Sequence, residues 1–195
     1  MLAQRHALTT IHEEHKALAS ALKVLEQSVT QLLMGVDTPL LERIGAALEY
    51  IEVFPDSYHH PKEEEYLFAR LRRATAEAND VLQSLENEHR QGYGLRADLK
   101  HLFERIRAGE TALIAGFVAD TRTYIAFQFS HMHVEEEIVL PLAIRTLTAD
   151  DWHAIASAFL GNNDPRFGWD VRQGLARLLE RVRAGTTVSS KHKPK

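Results

Sequence analysis

"HHPKEEEYLF", His59–Phe68, sets two histidines and three glutamates directly against an aromatic and aliphatic run. The pattern recurs as "HMHVEEEIVL", His131–Leu140. Ionisable groups are rarely fully buried without a partner. A doubled pattern that leads into core-like sequence therefore asks what the charged groups face, and the surrounding periodicity supplies the frame.

Apolar residues repeat at helical spacing on both sides of each block. A first helix carries Ile11, Leu18, Leu22, Leu25, Val29 and Leu32, with Thr10 and Glu13 reading as a capping box. "MGVDTP" breaks it, and Thr38 caps a second helix with Pro39 at its first position. That helix carries Leu41, Ile44, Leu48 and Ile51, and Pro55 and Pro61 mark a kink. A third helix runs from about residue 81 to 106 and ends at "RAGE", and a fourth from about 113 to 147. A shorter helix follows Thr148, whose capping role Asp151 supports. "GNNDPRFG" is a loop, and a last helix covers about 171–182, ending at Gly185. The fold class expected is all-α: an up-down-up-down four-helix bundle over residues 1–148 with additional short C-terminal helices. Residues 149–185 form a helical appendage packed on the bundle, and 186–195 a disordered tail.

Composition narrows the function. The 195 residues carry a net charge of −4, which gives no nucleic-acid-binding face, and the basic end "KHKPK" is very short. The absence of cysteine excludes disulfides, iron–sulfur clusters and thiolate zinc sites. No apolar run approaches the roughly 18 residues of a membrane span, and "MLAQRHALTT" lacks a signal-peptide core. A cytoplasmic protein is expected.

There are 11 histidines, and their placement carries the argument. His15 fills the gap in the apolar line between Ile11 and Leu18. His89 continues the line of Leu82 and Leu85. In the fourth helix Phe117, Tyr124, His131, Glu135, Ile138 and Leu142 share one face. In the second, at about 100° per residue, His59 and Glu63 fall near Leu48 and Ile51, whereas His60 and Glu64 fall on the far side. A His-x-x-x-Glu step brings both side chains to one spot. Imidazole and carboxylate suit iron, with zinc as the alternative, and bundle cores are where such sites are built. The two blocks read as two halves of one metal cage. The ligands expected are His15, His59, Glu63, His89, His131 and Glu135. His60, Glu64, Glu65 and Glu137 read as a solvated face or an outer layer. His6, His12, His101, His153 and His192 read as surface residues, and Trp152 and Trp169 as anchors for the terminal helices.

These blocks, with "EEHKAL" around His15 and "ENEHRQG" around His89, resemble the hemerythrin-like, HHE cation-binding domain over about residues 11–143. The resemblance implies a non-haem di-iron centre, oxo- and carboxylate-bridged, with histidines capping the irons. It implies a small diatomic or peroxide ligand bound for sensing, scavenging or carriage. Two departures stand out. Tyr93 occupies the place of a second third-helix histidine, and His131 to Glu135 is one residue shorter than the family's spacing, which Glu136 would satisfy. The remaining ligand falls to water, Tyr93, His12 or no group. The competing functions are a di-iron oxidase, peroxidase or repair enzyme, and a metal-stabilised structural bundle.

Overall fold

The computed structural model describes residues 2–161, 166 and 168–184. The 186–195 tail, Gly185, His192 and the side chain of Trp169 lie outside the described residues. The chain is all-α, and no strand occurs among the described residues.

Helix α1 spans Leu2–Leu32. It starts well before Thr10, whose hydroxyl donates to the His6 carbonyl inside the helix instead of capping it. Helix α2 covers 38–74. Its cap is Asp37, which accepts from the Leu40 amide at 2.7 Å; the sequence had pointed to Thr38. Helix α3 is Asn79–Arg107, closed at Gly109, whose φ of 106° suits a residue without a Cβ. Helix α4 covers 114–146. Helix α5, Ala149–Phe159, opens on the expected Thr148–Asp151 capping box, and α6 is Trp169–Ala184. Helices α1 to α4 form the bundle, with α1 against α2 and α4, and α3 against α2 and α4. Helix α5 lies on α1, and α6 on α1 and α2.

Neither α2 nor α4 is a uniform α-helix. In α2, Pro55–His59 and Glu63–Phe68 are π-helical, and in α4 so is Glu135–Val139. The His60 amide donates to the Pro55 carbonyl, five residues back, and the Leu140 amide to that of Glu135. Pro61 and Pro141 follow two of these segments. A proline has no amide to donate and its ring crowds the carbonyl four residues back, so the turn before it widens. Each wide turn takes up about one extra residue and slips the helical phase. The expected inward Ile138 is accordingly 50% exposed, and Val139 is buried in its place.

The apolar core is in two parts. One cluster holds Leu18, Leu22, Ile44, Ile51, Phe54, Phe103, Phe117 and Tyr124, joined by Leu175 and Leu179 of α6. The other holds Ala7, Ile11, Phe68, Leu85, Val139 and Leu142, joined by Trp152 and Phe159 of α5. Trp152 anchors α5 as expected. Between the clusters lies a layer of buried polar side chains.

Candidate metal centre

That layer contains all six expected ligands. His15 comes from α1, His59 and Glu63 from α2, His89 from α3, and His131 and Glu135 from α4, and all six are buried. The Nε2 atoms of His15 and His59 lie 3.1 Å apart, and those of His89 and His131 lie 3.0 Å apart. The two glutamates span both histidine pairs. Oε1 of Glu63 is 3.2 Å from His59 Nε2 and 3.8 Å from His15 Nε2, while its Oε2 is 3.8 Å from His89 Nε2. Oε2 of Glu135 is 3.3 Å from His15 Nε2, while its Oε1 is 3.2 Å from His131 Nε2 and 3.9 Å from His89 Nε2. With metal–nitrogen bonds of about 2.1 Å, neighbouring donors on one ion sit about 3.0–3.4 Å apart. The spacings of 3.0–3.3 Å match that edge, and the remaining ones, at 3.8–3.9 Å, lie beyond it.

The donors sort into two groups, each able to hold one ion. One is His15, His59, Glu63 and Glu135; the other is His60, Glu63, His89 and His131. His60 corrects the sequence reading. It is 2% exposed, not on a solvated face, and its ring stacks on His89 with centroids 3.8 Å apart. The wide turn Pro55–His59 is what lets two consecutive residues both face the interior.

Behind the histidines stand four further carboxylates. The Nδ1–H groups of His15, His59, His89 and His131 donate to Glu136, Glu14, Glu64 and Glu88 at 2.8, 2.8, 2.6 and 2.9 Å. This fixes each Nδ1 as the protonated nitrogen and aims Nε2 at the centre. Glu64 and Glu136 thus stand behind His89 and His15. Glu14 and Glu88 were missed because, unlike Glu64 and Glu136, they lie outside the two glutamate-rich blocks. His12 stays outside: its Nδ1–H donates to the Leu8 carbonyl of its own helix at 2.6 Å. Tyr93 is half-buried, with its ring centroid 6.0 Å from that of His60, and joins neither donor group. Its neighbour Gly92 is closely packed: a Cβ there would come within 3.2 Å of Gln128 Nε2. His6, His101 and His153 are exposed, as expected.

The electrostatics call for a cation. Both oxygens of Glu63 and both of Glu135 are buried and accept no well-formed hydrogen bond, and His60 Nδ1 also lacks a partner. Two adjacent buried carboxylates are very costly unless positive charge faces them. In the metal-free protein, protons on the imidazoles supply it. Burial opposes a charged His131, but the Glu135, Glu88 and Glu63 carboxylates together raise the group to about 10. Burial opposes a charged His89 too, and the Glu135 and Glu64 carboxylates raise it to about 9. Burial pushes Glu135 upward, yet His131 and its fellow imidazoles hold it well below the usual carboxylate range. A divalent ion in each group would replace those protons and satisfy the orphaned oxygens. The donor set fits such ions.

Comparison with known proteins agrees with this geometry. Residues 6–143 match the family model described as the hemerythrin HHE cation binding domain. Over 176 residues the chain is 24% identical to an uncharacterized protein of Mycobacterium bovis and to one of Mycobacterium tuberculosis. The alignments cover 87% of this chain and 64% of each relative, so the chain spans just under two thirds of their length. No described helix is long and apolar enough to cross a membrane.

Proposed function

This chain belongs to the hemerythrin HHE cation-binding family, and from that premise we propose that it is a non-haem di-iron protein that binds dioxygen, nitric oxide or peroxide in an oxidative-stress or sensing role. The observation that carries the reading is the split of Glu63 and Glu135: each offers one oxygen to either histidine group. Carboxylates that reach both ways suit a pair of ions better than one.

His15 and His59 would hold one ion; His60, His89 and His131 would hold the other; Glu63 and Glu135 would bridge them. Iron in such a site supplies reversible electron exchange with a small oxidant. The protein's own contribution is positional. Glu14, Glu64, Glu88 and Glu136 keep protons on Nδ1 and lone pairs on Nε2. Phe54 and Phe68, both buried, pack their rings against His59 and His89 and exclude bulk water. The first group has four protein donors, fewer than an octahedral ion takes, which leaves coordination for a small ligand.

The reading is tested by metal analysis of protein purified without chelators, together with its absorption spectrum. Two irons per chain, a near-ultraviolet ferric band and a band shift on adding azide are expected. A colourless protein loaded with zinc would replace this function with a structural one.

A further inference from the structure

Among the described residues Lys62 is the fully buried lysine, lying between His60 and Glu63 in sequence. Its Nζ donates to Oε1 of Glu14 and sits 3.7 Å from the Tyr58 ring centroid and 4.6 Å from that of Phe159 in α5. The other oxygen of Glu14, Oε2, accepts from His59 Nδ1 at 2.8 Å. Glu14 is itself buried. The three matching carboxylates differ: the side chains of Glu136, Glu64 and Glu88 are 37%, 38% and 28% exposed. Among the described residues none of those three is paired with a lysine or arginine. One carboxylate–histidine pair of the four is therefore shut away from water and shares its charge with an ammonium.

We propose that Lys62 is a positioning residue which, acting through Glu14, makes the His15–His59 half of the centre the weaker-holding half. The inference rests on the two-ion reading above. A carboxylate behind an imidazole draws on the Nδ1 proton and makes Nε2 a stronger donor. A cation on the carboxylate's other oxygen withdraws that charge and adds a positive field beside the ion. The dry surroundings set by Tyr58 and Phe159 keep both effects strong. Helix α5, which supplies Phe159, thereby takes part in ranking the two ion positions.

The test is an anaerobic titration of the metal-free full chain with ferrous iron, in competition with a chelator, resolving two stepwise affinities. The unsubstituted protein is expected to take up two equivalents, the second about tenfold or more weaker than the first. Lys62→Met should tighten the weaker equivalent by about tenfold, and Glu14→Gln should loosen the same equivalent by about tenfold. In a His15→Ala background, one equivalent remains and Lys62→Met leaves it unchanged. The opposite signs separate this role from a packing role, which would loosen binding in both variants. Two equivalents with unchanged affinities, or with both loosened by Lys62→Met, overturn the inference and leave the two-ion reading standing. Should Lys62→Met fail to fold, Glu14→Gln decides: loosening confined to the weaker equivalent supports the inference, and loosening of both or neither overturns it. Uptake of fewer than two equivalents by the unsubstituted protein overturns both readings.

Discussion

His60 of α2 lies flat against His89 of α3, with ring centroids 3.8 Å apart and planes 12° from parallel. The place left by a histidine absent from α3 is thus approached from α2. His60→Ala is expected to weaken one of the two metal equivalents by at least about 100-fold, since even groups behind a ligand are worth 10–100-fold. Metal content after gel filtration checks this. Full retention of both equivalents would reduce His60 to a packing residue.

Tyr93 stands beside His60 but outside both donor groups. Burial, followed by the charges of Asp56, Glu64 and Glu63, pushes its hydroxyl above the usual range and keeps it a neutral phenol. The iron-loaded protein should show no tyrosinate charge-transfer band, and Tyr93→Phe should keep both metals while altering the lifetime of an oxygen or nitric oxide adduct. Loss of iron in that variant would make Tyr93 a ligand.

The metal-free and metal-loaded proteins should respond to pH in opposite ways. With His89 and His131 raised to about 9 and about 10 from an unfolded value near 6.5, the folded state binds more protons than the unfolded one across that interval. Their contribution is complete below about pH 6.5 and is lost as pH rises through 9 to 10. The metal-free melting temperature should fall between pH 7 and 10. The loaded protein should melt about 10 °C higher at pH 7, taking about 4 kcal/mol from tight binding. It should lose that advantage in acid, where protons compete for the imidazoles. Equal melting temperatures with and without metal would contradict the buried-cage description.

The wide turn in α4 can be tested through its neighbours. Val139→Ala should cost about 2 kcal/mol, two buried methyl groups plus a small cavity, while Ile138→Ala should cost under about 0.5 kcal/mol. Urea unfolding of both variants in the metal-free form measures the difference, and the reverse order would mean that α4 keeps regular α-helical phase.

Much of this site was legible because it obeys one rule. His15 and His89 stand on the apolar lines of straight helices, and each His-x-x-x-Glu step lands on one face whichever way the helix is turned. What the sequence hid was phase. His60 and Ile138 were misplaced because constant rotation per residue fails where Pro61 and Pro141 force a wide turn. Glu14 and Glu88 were hidden for a different reason: they lie outside the two glutamate-rich blocks that mark Glu64 and Glu136, and no local spacing encodes the contacts that all four make across the bundle. The start of α1 was misread because Thr10 bonds backward within a helix already under way.

Because the polar layer divides the core in two, it is also a seam. Each apolar cluster has its own appended helix, α6 on one side and α5 on the other, and the four bundle helices run through both. Without metal, only protonated imidazoles offset the carboxylates of Glu63 and Glu135 where the halves meet, and the two ends are expected to open separately. Amide protons around Leu22 and Phe103 should then exchange with a different opening free energy from those around Leu85 and Trp152. On loading, the two classes should merge, and the molecule should unfold as a single cooperative unit.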